Sequence, residues 1–163
     1  MQKEETILPR GARVEEKVKE EKEIIPVIEK RKEFNIFLSY STLDSIRFQI
    51  DKIANNLEKF PEIKKVYYYS KDSGQNIVEY MEETLSVCNI FVLFCTKHSK
   101  KSKAVEGEWQ SAYQLVKKNI MKIIPVYEDE DDVPILLIPM LNVRYDKEDF
   151  NGFINKLYQE ILR

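Results

Sequence analysis

The sequence predicts a doubly wound α/β domain over residues 33–163, with a five-stranded parallel sheet covered by helices on both faces. Three observations carry that expectation. From Phe34 onward, short apolar runs of strand length alternate with segments of helical periodicity. The runs are apolar throughout rather than every second residue, as strands buried on both faces must be. Such alternation joins parallel strands by right-handed crossovers, which makes the flavodoxin-like order 2-1-3-4-5 the economical topology.

The five runs are NIFLSY (35–40), VYYY (66–69), NIFVLF (89–94), KIIPV (122–126) and NVRY (142–145). Each is rich in the β-branched and aromatic residues that suit a pleated surface. Four stripes at helical spacing follow them. Ile46, Ile50, Ile53, Ala54 and Leu57 form the first, and Ile77, Met81, Leu85 and Cys88 the second. Val105, Trp109, Ala112 and Val116 form the third, with Trp109 expected in the core; Phe150, Phe153, Ile154, Leu157 and Ile161 form the fourth. Ser41 with Asp44, and Asn76 with Glu79, have the spacing of a capping side chain and a reaching carboxylate at a helix start. Residues 133–141, which include two prolines, fit neither pattern. In a sheet of this order ligands bind beyond the carboxyl ends of the strands, so the residues to inspect follow Tyr40, Tyr69, Phe94 and Val126.

Residues 1–32 differ. The stretch VEEKVKEEKEIIPVIEKRKE is mostly charged and reads as a tether, helical or disordered, in which Pro26 would break a helix. Lys and Arg total 26 against 28 Asp and Glu, a balance too even for general nucleic-acid binding. No apolar run reaches the ~20 residues that span a bilayer, and the acidic start is unlike a secretory signal, so neither a membrane nor an export route is expected. Cys88 and Cys95 fall in apolar segments without metal-ligand spacing and read as reduced, buried thiols of a cytoplasmic protein.

Familiar chemistries of this architecture are excluded by what is missing. Glycine occurs only at positions 11, 74, 107 and 152, which leaves neither a dinucleotide fingerprint nor a P-loop. A phosphoacceptor domain needs acidic residues where this chain has Ser39-Tyr40-Ser41 and Cys95-Thr96. The only histidine, His98, lies in the basic stretch 97–103 and offers no triad. The acidic run 128–132 reads as a solvated loop, and no metal site is expected.

Three segments in order resemble the TIR domain of innate-immune receptors, adaptors and prokaryotic defence proteins, over nearly all of residues 33–163. FNIFLSYSTLD is similar to the family's opening strand, serine-rich turn and acidic helix start. VYYYSKDSGQNIVEYMEETL resembles its second strand, connecting loop and second helix. CNIFVLFCTKHSKKSKAVEGEWQSAYQLVKKNIMKIIPV resembles its third strand, glutamate-bearing helix and a strand ending in a proline-containing turn.

Active members of that family are similar in cleaving the nicotinamide-ribose bond of NAD+ with one glutamate, at the end of a W-x-x-x-E pattern. The pattern puts Glu108 on the catalytic position and Ala104 where the tryptophan would stand. The resemblance further implies substrate contacts from Ser39, Ser41, Asp44, Tyr69, Gly74 and Ala104, with NAD+ as substrate and no cofactor. It implies homotypic association with other TIR domains as the route to activity, and non-enzymatic scaffolding as the alternative. Nicotinamide leaves as a neutral ring, so no general acid is needed, and a single anion can stabilise the cationic ribose of the transition state. At ~100° per residue Glu108 lies roughly 60° from Val105, at the margin of the buried stripe. By itself, an acidic residue early in a helix is ordinary dipole compensation, a reading that Glu106 shares.

Overall fold

The computed structural model describes residues 32–70, 74, 76–140 and 143–163. The expected N-terminal tether lies outside these residues apart from Lys32. Within Glu33–Arg163, the strands are β1 (Phe34–Ser39), β2 (Ile63–Tyr68), β3 (Ile90–Cys95), β4 (Lys122–Tyr127) and β5 (Val143–Arg144). They form one parallel sheet in the order β2-β1-β3-β4-β5, with Ile36 opposite Ile90 and Phe91 opposite Ile123. The expected fold class and strand order are those observed.

The apolar runs explain the layers. All six residues of the central strand β3 are buried, and successive side chains feed two different cores. Ile36 and Leu38 of β1, with Val92 and Phe94 of β3, face a cluster built with α1 (Ile50–Leu57) and α4 (Phe150–Leu162). Phe37, Phe91 and Leu93 face the other cluster, where α3 (Lys103–Lys117) supplies Val105 and Ala112. Phe37 and Phe91 stack there at 5.5 Å between ring centroids. α2 (Ile77–Leu85) borders this second side, but only Thr84 within it is fully buried. The edge strand β2 exposes Lys64 and Lys65, charges that discourage pairing with another sheet edge.

Several local expectations change. Ile46 leaves the first stripe and is 89% exposed. Gln49 adopts a left-handed backbone (φ 53°), so residues 45–49 form a turn and α1 starts only at Ile50. Cys88 is buried but lies beyond the end of α2. Pro125 sits inside β4, as the run 122–126 placed it, and the strand continues past it to Tyr127 with no turn at the proline. The carbonyl of Tyr127 accepts from Tyr145 N–H, so alternate residues of β4, Pro125 included, aim their backbone groups toward β5. Among the described residues β5 pairs with Val126 and Tyr127 and not with Pro125, so no described ladder bond calls on the N–H that Pro125 lacks. The unassigned connection contains one 3₁₀ turn, Ile135–Leu137, of which Leu137 is buried while Ile135, Leu136 and the following Ile138 are exposed, and the acidic run before it holds another, Glu130–Asp132.

Candidate active site

Glu108 owes its position to how α3 begins. The side chain of Ser102 caps the helix by accepting from Val105 N–H at 3.3 Å. That start sets the phase that turns Val105, Glu108 and Ala112 inward together. The carboxylate thus occupies the buried stripe itself, 4% exposed, rather than its margin. Trp109, expected in the core, takes the margin instead and is half-buried.

A carboxylate in that position is costly in its charged form. Burial raises the Glu108 pKa from 4.5 to about 7, and the hydroxyl of Ser39, which donates a hydrogen bond to Oε2, pulls it the other way. Ser39 ends β1 and is itself buried, so β1 aims a donor at the carboxylate from across the sheet edge. Burial thus favours the protonated carboxyl and the Ser39 hydroxyl the charged one, an opposition typical of a perturbed group at a cleft.

Glu108 lines a cavity of about 160 Å³ at the carboxyl edge of β1, with Ser41, Tyr69, Ile77 and Ala104 among its other walls. Of the residues expected to touch substrate, Ser41, Tyr69 and Ala104 are therefore brought together with Glu108. Ser39 stands behind the carboxylate as its hydrogen-bond donor.

Asp44 lies elsewhere. Its Oδ2 accepts from Thr96 Oγ1 at 2.6 Å and its Oδ1 lies 3.8 Å from Arg47. Ser41, rather than reaching a long helix with Asp44, caps a single 3₁₀ turn, Thr42–Asp44. Gly74 is exposed, with φ +69° and open space around its Cα, so its position demands a left-handed backbone rather than room for a close neighbour.

Sequence reasoning passed over Tyr40 and Thr96. Tyr40 lines the cavity and donates its hydroxyl to the Tyr69 carbonyl at 2.7 Å, tying β1's end to β2's. Burial raises the Tyr40 pKa and keeps the phenol protonated. Thr96 and Ser99 form a reciprocal capping box at the short helix Lys97–Lys101, and the buried Thr96 hydroxyl also holds Asp44. The Thr-x-x-Ser spacing was the available signal. The basic loop stays at the surface, with Lys100 donating to the Asp131 carbonyl. Among the described residues no His, Cys, Asp and Glu cluster could hold a metal ion.

A family profile described as the TIR domain matches residues 36–158. The chain belongs to the TIR-domain family. A solved TIR domain of similar fold is that of the Toll-related receptor TRR-2 from Hydra magnipapillata, with a TM-score of 0.61 at 18% identity, over 80% of this chain and 99% of that one. Another is the TIR domain of the activated Roq1 resistosome, which directly recognises the pathogen effector XopQ. It has a TM-score of 0.57 at 15% identity, over 79% of this chain and 97% of the other. At such identities the likeness is one of fold. No sequence among the curated proteins matches the chain. Among the described residues of this TIR domain, no helix is long and apolar enough to cross a membrane.

Proposed function

We propose that this TIR domain is an NAD+ nucleosidase, cleaving the nicotinamide-ribose bond to give nicotinamide and ADP-ribose or a cyclic variant. The observation that carries the reading is the buried Glu108 carboxylate, oriented by Ser39 and facing a small cavity. In the reaction the C1′–N bond breaks and its electron pair stays on the nicotinamide nitrogen. The ribose becomes cationic, and an ionised Glu108 in a dry setting stabilises it far more than the same charge in water would. The carboxylate also holds the ribose hydroxyls, which orients the bond to be broken. Water then adds to C1′ and gives up a proton, or an internal nucleophile closes a ring.

The setting we infer is cytoplasmic immune signalling, in line with a receptor and a resistosome among the fold's neighbours. Self-assembly with other TIR domains is the inferred trigger, with NAD+ the small-molecule partner and neither nucleic acid nor membrane required. A scaffold that signals by TIR-TIR contact alone is the second reading, favoured by Ala104 beside Glu108 where an aromatic would wall the site. Clustered protein incubated with NAD+ separates the two. Nicotinamide release by wild type, lost in Glu108→Ala, supports the enzyme; silence from clustered wild type, or equal release by the variant, leaves the scaffold.

A further inference from the structure

Two cavities flank the start of α3. At ~100° per residue, Glu108 and Trp109 stand roughly 50° to either side of the inward line through Val105 and Ala112. Glu108 therefore borders the cavity toward β1, whereas Trp109 and Glu106 border a separate one toward the connection after β4. The second cavity measures about 140 Å³, and Val105 is the one wall it has in common with the first.

Its floor is apolar and its rim carries charge of both signs. The buried Leu93 and Val105 form the floor, with the half-buried Trp109 and Pro134 beside them. Lys100 of the short helix Lys97–Lys101, Glu106 of α3 and Asp132 of the 3₁₀ turn Glu130–Asp132 supply the charges. The Cys95 thiol is pushed up to about 12 by burial and further by Asp132, and is eased down by Lys100, so these two opposite charges act at the same end of β3. Lys100 is anchored by donating to the Asp131 carbonyl, which leaves its ammonium two further donors. Glu106 accepts from Gln110 through one oxygen at 3.1 Å and keeps the other.

Size and chemistry together narrow the occupant. A cavity of roughly 150 Å³ holds one benzene, so this one excludes a nucleotide and admits a short branched alkyl group. Carboxylates beside an aromatic ring suit an ammonium, and a lysine suits a carboxylate. We infer that this cavity is a binding site for a small aliphatic α-amino acid. Its side chain rests on Leu93, Val105 and Trp109, its ammonium turns toward Glu106 and Asp132, and its carboxylate turns toward Lys100. The site is independent of the nucleosidase reading. Its occupant packs against the first turns of α3 from the flank opposite Glu108, and so bears on the helix that carries that carboxylate.

Trp109 is the chain's only tryptophan, so its emission reports this cavity directly. L-Valine is the probe, titrated into the whole chain while the fluorescence and the indole N–H resonance of Trp109 are followed. Saturation is expected on the order of 1 mM, as a ligand of about eight heavy atoms permits. Isobutylamine lacks the carboxylate and isovalerate the ammonium, and each should bind about tenfold more weakly. Lys100→Met should weaken L-valine about tenfold and leave isobutylamine as it was. Glu106→Gln combined with Asp132→Asn should weaken L-valine as much and leave isovalerate as it was. The assignment is overturned if neither signal responds to L-valine up to about 100 mM. Equal affinity for the three compounds overturns it too, since that marks a merely apolar hole, as does L-valine binding that both variants leave untouched.

Discussion

Replacing Glu108 by glutamine tests the central electrostatic claim without any substrate. The carboxyl pKa rises from 4.5 to about 7 on folding because burial penalises the anion. Below pH 4.5 both states hold the proton and the group costs nothing. Between 4.5 and 7 the unfolded chain ionises while the folded one does not, so stability falls as pH rises. Above 7 the full penalty is present, about 3 kcal/mol at ~1.4 kcal/mol per unit. Glutamine keeps the shape and an oxygen that accepts from Ser39, and it never ionises. Its extra N–H donors carry some fixed cost of burial, but that cost is independent of pH.

The quantity to measure is therefore the difference in unfolding free energy between Glu108→Gln and wild type, by urea denaturation at several pH values from 4.5 to 9. It should move in favour of the variant by about 3 kcal/mol between pH 4.5 and 8, then level off. With an m-value of about 1.5 kcal/mol/M that is a relative gain of about 2 M in urea midpoint. A difference that stays flat from pH 4.5 to 9 refutes the argument, because it would mean that Glu108 ionises alike in the folded and unfolded chain. The same titration should appear in catalysis, with kcat/KM rising from pH 6 to 8 as the carboxylate ionises.

Ser39→Ala removes a hydrogen bond to the anion worth about 1.5–3 kcal/mol, so the rising limb of the pH-rate profile should move up by about one unit or more. A profile that stays in place would show that Ser39 does not stabilise the charged form. Thr96→Val leaves the buried Asp44 carboxylate without its 2.6 Å donor, at a cost of about 1–3 kcal/mol. Calorimetry should record a melting temperature lower by about 3–10 °C, and an unchanged one would mean the Asp44–Thr96 bond contributes nothing net. Ala104→Trp adds an aromatic at an exposed position on the wall of the Glu108 cavity. KM for NAD+ should fall about two- to tenfold with stability altered by less than about 0.5 kcal/mol, and an unchanged or higher KM would show that the nicotinamide does not meet this wall.

Much of this domain follows from the sequence because its signals are periodic. Strand length, the continuous apolar runs of β1, β3 and β4, and the α4 stripe from Phe150 to Ile161 each repeat one local rule, and repetition makes them robust. The strand order then follows from crossover handedness and the family likeness. Signals carried by a single residue were another matter. Gln49 enters a left-handed conformation that its side chain does not announce, and in the turn over 45–49 that it closes Phe48 is buried while Ile46 is exposed. Asp44 has the spacing of a capping partner, yet its nearest donor is Thr96, 52 positions away and adjacent only because β1 and β3 are neighbours.

The candidate site divides along the same line. The W-x-x-x-E spacing pointed to Glu108, and helical periodicity brought it to within one turn of the core. Only the tertiary structure decided that Glu108 and not Trp109 fills the inward slot, because the phase of α3 is set by Ser102 and by what β1 presents to it. Periodicity ranks residues by hydrophobicity and gives the inward place to tryptophan. A carboxylate can hold that place only where a distant hydroxyl, here Ser39, meets it, and such a pairing of a strand with a helix 69 positions away is absent from the chain's local pattern.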